Sequence, residues 1–129
     1  MRSEEGTLLK EKEKRRAPRM PVDWSVQARL LGNDEPLGPV QMADVSKYGV
    51  ALRLSHTVER EAILKLSFDP SDGAGEVHAY ATVAWSMGPD LPQRSSLAGL
   101  RFMGIGEADE ERLASLVEQW VLSGRGAKH

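Results

Sequence analysis

The sequence predicts an all-β domain with one helix at its C-terminal end, and three observations support that prediction. Six segments are typical of short strands, several of them with apolar residues at alternate positions, and turn-rich stretches separate them at intervals of roughly 8–14 residues. Beyond the sixth segment the apolar period changes from two to between three and four, which is typical of an amphipathic helix. The composition, 40% hydrophobic and 28% charged over 129 residues, suits one globular domain. A small antiparallel barrel and a sandwich both fit these patterns.

The alternation is clearest in the first predicted strand, whose apolar residues are Val22, Trp24, Val26, Ala28 and Leu30. The six strands are predicted over residues 22–30, 40–44, 50–54, 62–68, 77–85 and 96–103. Glycine, proline, asparagine and aspartate cluster between strands, so turns are predicted over residues 32–38 and 87–93. The stretch 69–75 is predicted to be a long, mobile turn.

The predicted helix begins in an acidic run and ends near Gly124, which is placed to act as its C-terminal cap. Its apolar stripe consists of Leu113, Leu116, Val117, Trp120 and Val121. At the other end of the domain, Pro18 and Pro21 are incompatible with a continuous helix. Residues 14–21 are therefore predicted to form an extended arm.

The composition excludes several classes of protein. The chain has no cysteine, which removes disulfides, thiolate nucleophiles and zinc–thiolate sites, and its three histidines are scattered. No apolar run approaches the roughly 18 residues of a membrane helix, and the N-terminal residues lack the apolar stretch of a secretory signal. We therefore expect a cytoplasmic protein that does not insert into membranes and carries neither a metal nor another cofactor.

The net charge of −2 conceals an uneven distribution. Residues 1–19 contain seven basic and four acidic side chains, a balance of +3, whereas the other 110 residues contain ten basic and fifteen acidic side chains, a balance of −5. A basic arm thus precedes an acidic body. Such an arm suits an anionic ligand, a nucleic acid or the acidic surface of its own domain.

Within this arm, three residues separate Arg15 from Arg19, and Lys14 and Arg16 lie beside Arg15. In an extended chain the α-carbons of Arg15 and Arg19 lie up to roughly 13 Å apart, so their guanidinium groups can bracket one bulky anion. Arginine suits this purpose because it binds phosphate through two hydrogen bonds and stacks on planar rings. A solvated basic linker is the competing interpretation.

A second short pattern, Asp44, Ser46 and Gly49, joins the second and third predicted strands. In a structural interpretation it is a tight turn, where Asp44 and Ser46 bond their own backbone and Gly49 adopts a positive φ. In a functional interpretation the Asp44 carboxylate accepts hydrogen bonds from N1–H and N2–H₂ of guanine, which adenine lacks. Ser46 then supplies a short hydrogen bond and Gly49 permits close approach.

In this order and spacing, the two patterns resemble the two-part signature of the PilZ domain family, whose members bind the bacterial second messenger cyclic di-GMP. The signature RxxxR is matched by residues 15–19, and [DN]xSxxG by residues 44–49. Residues 79–86 and 98–105 are similar to two further strands of the family.

The resemblance implies a fold and domain boundaries. The fold is a six-stranded antiparallel β-barrel with a C-terminal α-helix, and the domain, including the arginine arm, covers residues 14–122. A flexible N-terminal extension, residues 1–13, and a flexible tail, residues 123–129, are expected on either side.

The resemblance also implies a function, that of a non-catalytic cyclic di-GMP receptor in bacterial motility or biofilm signalling. The arm is expected to be mobile when free, to close over the nucleotide and so to signal to a downstream protein. The implied ligand-binding residues are Arg15, Arg16, Arg19, Asp44, Ser46 and Gly49, with Lys14 and Trp85 as further candidates.

Three alternatives stay open at this stage. Trp85 suits either core packing or stacking on the ligand. A second possible function is that of a protein-interaction adaptor of the same fold, which serves a motility or secretion machine without nucleotide. Nucleic acid is a less suitable partner, because the body is acidic and aromatic residues are few. The number of bound nucleotides and the oligomeric state are not predicted.

Overall fold

The computed structural model describes residues 17–32, 35–55, 57–90 and 95–124 of the chain. These residues form seven strands and one helix. The strands are β1 (Met20–Pro21), β2 (Ser25–Leu30), β3 (Val40–Val45), β4 (Gly49–Leu54), β5 (Ile63–Phe68), β6 (Val77–Asp90) and β7 (Ser95–Ile105). The helix is α1 (Glu107–Leu122).

The strands form one antiparallel sheet that closes on itself. Their order is β1-β3-β2-β5-β6-β7-β4, and β4 pairs back with β3. Strands β2 to β7 therefore make a six-stranded antiparallel barrel followed by a C-terminal helix, which confirms the predicted fold class. The two-residue strand β1 is an addition to the barrel, paired with the end of β3.

The barrel interior is filled by the apolar residues that the alternation identified. Met42, Leu52, Leu64, Leu66 and Phe68 are at most 2% exposed. Helix α1 adds two residues of its apolar stripe, Leu113 and Val117, to the same core. The helix therefore packs against the barrel rather than standing apart from it, and burial of its apolar stripe is its main source of stability.

Two predicted boundaries are wrong. The turn expected over residues 87–93 begins later, because β6 and β7 continue as a long hairpin in which Met87 pairs with Leu97 and Asp90 with Ser95. The strand expected over residues 22–30 begins at Ser25. The preceding residues still follow β3, since the Val22 N–H donates to the Ala43 carbonyl and the Trp24 carbonyl accepts from the Met42 N–H.

The predicted turn at residues 69–75 lies in the loop between β5 and β6, and this loop is tied to the helix by side-chain hydrogen bonds. The Arg112 side chain, on α1, donates to both carboxylate oxygens of Asp72 at 3.1 and 2.6 Å and to the Gly75 carbonyl at 2.8 Å. It donates to Asp109 as well, at 3.0 Å. These hydrogen bonds lower the pKa of the Asp72 carboxyl and raise that of Arg112. Arg112 thus holds this loop against the helix.

Candidate functional site

Arg19 and the partly exposed Asp44 lie on the outside of the barrel next to the buried Ser46, and the three residues are named here the Arg19 cluster. The Arg19 guanidinium contacts Asp44 Oδ1 through Nε at 2.8 Å and through Nη2 at 2.7 Å. Its Nη1 lies 3.5 Å from Ser46 Oγ. Strand β1 explains this placement, because Met20 pairs with Val45 and Pro21 with Asp44, which brings the preceding arginine beside the end of β3.

The Ser46 side chain builds the turn between β3 and β4. Its hydroxyl oxygen accepts hydrogen bonds from the backbone N–H groups of Tyr48 at 3.1 Å and Gly49 at 3.2 Å. The Ser46 N–H donates to the Gly49 carbonyl at 2.9 Å. Ser46 is only 1% exposed. Its role in this arrangement is therefore to shape the turn, and a hydrogen bond from Ser46 to a ligand stays a prediction.

Gly49 is needed for close approach of two strands. The expectation of a positive φ is wrong, since Gly49 is not among the glycines with that conformation. Instead, a Cβ atom at this position would collide with the backbone carbonyl of Leu100 on β7. Any side chain here would push β4 and β7 apart, and the turn that carries the Arg19 cluster would move with them.

A row of paired residues runs across the outside of the barrel from this cluster. Asp44 on β3 pairs with Ala51 on β4, Ala51 with Gly99 on β7, and Gly99 with Trp85 on β6. The next row consists of Val45, Val50, Leu100 and Val83, which are nearly or fully buried in the barrel core, so the row from Asp44 to Trp85 lies on the outer side of the sheet. Its two ends are exposed, whereas Ala51 is only 4% exposed and Gly99 is buried beneath the Trp85 indole. It spans three strand spacings, about 14 Å, and its middle is a floor of small residues.

Trp85 lies at the far end of this row and is 42% exposed. Its indole lies directly over Gly99, where a Cβ atom would collide with the ring. The interpretation of Trp85 as a core residue is therefore wrong. The cause is a register shift between Val83 and Trp85, which turns the tryptophan outward although it continues the inward alternation of the preceding residues.

A similar irregularity places Asp44. The register shifts between Met42 and Asp44, so Met42 is fully buried whereas Asp44 is partly exposed and opposite Ala51. Two bulges thus set both ends of the row on the outer face. Bulges often occur where a side chain is re-aimed at a functional site.

Two exposed arginines missed by the sequence reasoning flank the row. Arg53 is two residues beyond Ala51 on β4, and Arg101 is two residues beyond Gly99 on β7, so both project on the outer side. Alternation along the predicted strands gives their outward direction, but only the antiparallel pairing of β4 with β7 puts them on opposite sides of the row. They add positive charge on both sides of the floor.

The family of the chain follows from a comparison of its sequence with family models. The PilZ domain model matches residues 13–119. The chain belongs to the PilZ domain family. No curated protein sequence matches this PilZ chain significantly.

Solved structures share the PilZ fold of this chain. The Bacillus subtilis inhibitor of motility MotI/DgrA matches with a TM-score of 0.71 at 16% identity, over 85% of this chain and 52% of that one. The K. pneumonia MrkH–c-di-GMP complex matches with a TM-score of 0.67 at 21% identity, over 88% and 55%. The PilZ domain of YcgR from Escherichia coli with c-di-GMP matches with a TM-score of 0.64 at 14% identity, over 87% and 95%. This chain spans about half the length of the MotI and MrkH chains.

Three predicted site residues, Lys14, Arg15 and Arg16, lie outside the described residues, and so do the proposed extension at residues 1–13 and most of the proposed tail. Within the described ranges, no group of three or more histidine, cysteine, aspartate or glutamate residues is arranged to hold a metal ion. In the same ranges no helix has the length and apolar character that crossing a membrane requires.

Proposed function

We propose that this PilZ domain is a non-catalytic cyclic di-GMP receptor, whose arginine arm closes over the nucleotide and signals to a partner protein. One observation carries the proposal. In the Arg19 cluster, Arg19 contacts Asp44, 25 positions away, and Ser46, 27 positions away. The exposed Trp85 lies in the same row of paired residues, three strands from Asp44.

The geometry suits a guanine base at Asp44. Both contacts from Arg19 go to Oδ1 of Asp44, and among the described residues no hydrogen bond is directed at Oδ2. Guanine presents N1–H and N2–H₂ side by side, so a carboxylate can accept both. The side chains of Arg19 and Asp44 are 44% and 31% exposed, which leaves them accessible to a ligand.

The rest of the ligand matches the surroundings of Asp44. Arginine forks bind phosphate through paired hydrogen bonds and stack on planar bases, which suits Arg19 together with Arg15, Arg16 and Lys14 of the arm. The indole of Trp85 offers a second flat surface for a base. Stacking of an aromatic side chain on a base contributes roughly 1–3 kcal/mol per base to the binding free energy.

Arm closure is the proposed output of the receptor. A ligand with two phosphates neutralises the positive charge of the arginines in the arm. Its contacts with the arm also offset the entropic cost of ordering the backbone, which is roughly 1–2 kcal/mol per residue. The partner and its setting, motility or biofilm formation in the bacterial cytoplasm, belong to the same proposal. MotI/DgrA, one structural neighbour, is an inhibitor of motility.

Isothermal titration of the wild-type chain with cyclic di-GMP tests the receptor function, with cyclic di-AMP as the matched control nucleotide. We expect saturable binding of cyclic di-GMP and at least tenfold weaker binding of cyclic di-AMP. Amide hydrogen exchange on the same samples tests closure. Protection is expected to increase over residues 10–20 and 44–49 on binding, with little change over 108–122. Absence of cyclic di-GMP binding, or equal affinity for the two nucleotides, would contradict the proposal.

A further inference from the structure

A second concave surface lies between helix α1, the turn after β3 and the first described residues of the chain. It has a volume of about 420 Å³ and is named here the α1 groove. None of its lining residues belongs to the Arg19 cluster. The residues that the argument uses come from the arm, from the turn and from the helix, and they are Ala17, Tyr48, Val117, Glu118, Val121 and Leu122.

The helix side of the α1 groove is apolar and partly uncovered. Val117 is 4% exposed and belongs to the core, and Val121 packs against that core while remaining only partly buried. Leu122 is 76% exposed, the highest value among the large hydrophobic residues in the described ranges. An aliphatic side chain that covered Val121 and Leu122 would remove apolar surface from water, which is favourable. The groove therefore suits an apolar occupant.

The exposed side of helix α1 is negatively charged around this groove. The helix contains five carboxylates and one cation, Arg112, a balance of −4, and Arg112 is already engaged by Asp72 and Asp109. Glu118 lines the groove, and within the described ranges its carboxylate takes part in no ion pair. Lys47 also lines it, but its ammonium lies over the Tyr48 ring, 5.5 Å from the centroid. Basic residues beside the apolar occupant thus suit the helix side.

The chain itself enters the described structure at the α1 groove. Ala17 is the first described residue and lines the groove, so the 16 preceding residues start at its edge. Apart from Met1, the large apolar residues among these 16 are Leu8 and Leu9. Position 9 is eight residues from position 17, a reach of up to roughly 26–29 Å in an extended chain. The helix from Ala114 to Leu122 is only about 12 Å long, so the pair can reach any point along the groove.

From the position of Ala17, the exposed apolar surface and the acidic helix, we propose that Leu8 and Leu9 dock in the α1 groove of their own chain. This replaces the flexible extension that the family resemblance implies. Residues 10–16, which follow the pair, carry five basic and two acidic side chains, a balance of +3 that complements the helix. The segment at the other end of the chain, residues 125–129, offers no large apolar side chain.

Docking gives the arm a second anchor. Lys10 and Lys12 are closest to the leucine pair and face the acidic side of α1, whereas Lys14, Arg15 and Arg16 remain available to the nucleotide. The pair stays docked when the arm closes, so fewer residues have to be ordered on binding. This link to binding rests on the proposed function, but the docking itself does not require cyclic di-GMP.

A spin label on Ser3→Cys tests the docking in the full chain, which has no other cysteine. Without nucleotide, we expect the label to broaden the amide signals of Ala114, Glu118 and Leu122 strongly and that of Lys65 on β5 little. The double variant Leu8→Asp/Leu9→Asp keeps the length of the segment, and it is expected to reduce the paramagnetic relaxation at the three helix amides several-fold. Leu122→Glu, at a position that is already exposed, is expected to do the same from the groove side.

A pair of charge reversals tests the contribution of the helix. Glu118→Lys is expected to weaken the broadening, whereas Glu59→Lys, the same change at an exposed position in the loop between β4 and β5, is expected to leave it unchanged. Equal effects of the two reversals would contradict the role of Glu118. Equal broadening in wild type and in Leu8→Asp/Leu9→Asp would show a segment that is merely tethered at Ala17, and it would overturn the docking, as would the absence of broadening at α1.

Titration with cyclic di-GMP separates this proposal from the receptor function. Leucine-dependent broadening in a chain that binds no cyclic di-GMP would support docking and contradict the receptor. If the chain binds, the Leu8→Asp/Leu9→Asp variant is expected to bind several-fold more weakly, and equal affinity would show that the pair does not anchor the arm. Broadening between different molecules, in a mixture of spin-labelled and ¹⁵N-labelled chains, would assign the groove to a second copy and overturn docking within one chain.

Discussion

Two arginine–aspartate pairs in this PilZ domain show how the same chemistry can serve different purposes. The side chains of Arg112 and Asp72 are only 17% and 21% exposed, and both carboxylate oxygens of Asp72 are bound. Arg19 and Asp44 are 44% and 31% exposed, and Arg19 engages one oxygen only. The first pair joins a loop to a helix and is saturated. The second pair retains capacity for a ligand.

The surroundings of the two pairs reinforce the difference. Arg112 also binds Asp109 and the Gly75 carbonyl, so its side chain is fixed from several directions. Arg19 lies just before the short strand β1 and its remaining contact, to Ser46, is long at 3.5 Å. Exposed ion pairs contribute about 0–1 kcal/mol. Arg19 is therefore expected to matter for binding, and Arg112 for stability.

Of the two arginine–aspartate pairs, the one that Arg112→Ala removes is expected to contribute more to stability. This variant loses the Arg112 hydrogen bonds that tie the loop over residues 69–76 to α1, and it leaves Asp72 without its cation. We expect the Tm to fall by several degrees and amide exchange in the loop to accelerate. Cyclic di-GMP affinity is expected to stay within about twofold. Differential scanning calorimetry with Arg19→Ala as the matched control checks this, and a larger Tm loss in that control would reverse the comparison.

Asp44→Ala tests whether the exposed pair, Arg19 and Asp44, binds the nucleotide. The variant lacks the acceptor for N1–H and N2–H₂ of guanine, so cyclic di-GMP affinity is expected to fall roughly tenfold, about 1.4 kcal/mol. The ratio of the affinities for cyclic di-GMP and cyclic di-AMP is expected to decrease, because adenine does not use that acceptor. Competition titrations with both nucleotides measure it. Equal losses for the two nucleotides would remove the proposed role in guanine recognition.

Trp85→Ala tests the other end of the row. Loss of one stacking surface is expected to weaken cyclic di-GMP binding by fivefold or more, since base stacking contributes roughly 1–3 kcal/mol. The Tm is expected to change little, because the ring is 42% exposed and fills no core space. Trp24→Ala is the contrasting variant and is expected to lower the Tm, since the Trp24 ring stacks on the buried Phe68 ring with 6.0 Å between the ring centroids. If Trp85→Ala loses stability instead of affinity, Trp85 is structural.

The smallest expected effect is one of pH. The pKa of Asp72 is lowered below its ordinary value of 3.8, chiefly by the hydrogen bonds from Arg112. The folded state therefore binds this proton less readily than the unfolded state, and the stabilisation is present above about pH 4 and lost as the pH falls through the folded-state pKa. The Tm difference between wild type and Arg112→Ala is expected to shrink between pH 6 and pH 3. A constant difference would show that the pair does not titrate in this range.

The sequence predicted the parts of this molecule that depend on local pattern. Alternation identified the barrel strands and most of their inward residues, and the change of period identified α1. Two short motifs, RxxxR at residues 15–19 and [DN]xSxxG at residues 44–49, led to the PilZ family because each is defined by residues a few positions apart. In each case the necessary information lies within a few neighbouring positions.

Features that depend on strand register were not predictable in the same way. Asp44 and Trp85 both continue an inward alternation, and only bulges in β3 and β6 turn them outward. The contact between Arg112 and Asp72 joins residues 40 positions apart. Gly49 was expected to serve the turn conformation, whereas its actual requirement comes from Leu100 on a distant strand. A single sequence carries no pattern that fixes such pairings.

The most direct test of the receptor function is the affinity of Arg19→Ala for cyclic di-GMP, measured by isothermal titration beside wild type and Arg29→Ala. Arg29 is a suitable control because it lies on β2, on the other face of the barrel. We expect at least tenfold weaker binding for Arg19→Ala, little recovery with Arg19→Lys because lysine lacks the planar fork, and unchanged affinity for Arg29→Ala. Wild-type affinity in Arg19→Ala, or an equal loss in both alanine variants, would contradict the assignment of the nucleotide site to the Arg19 cluster.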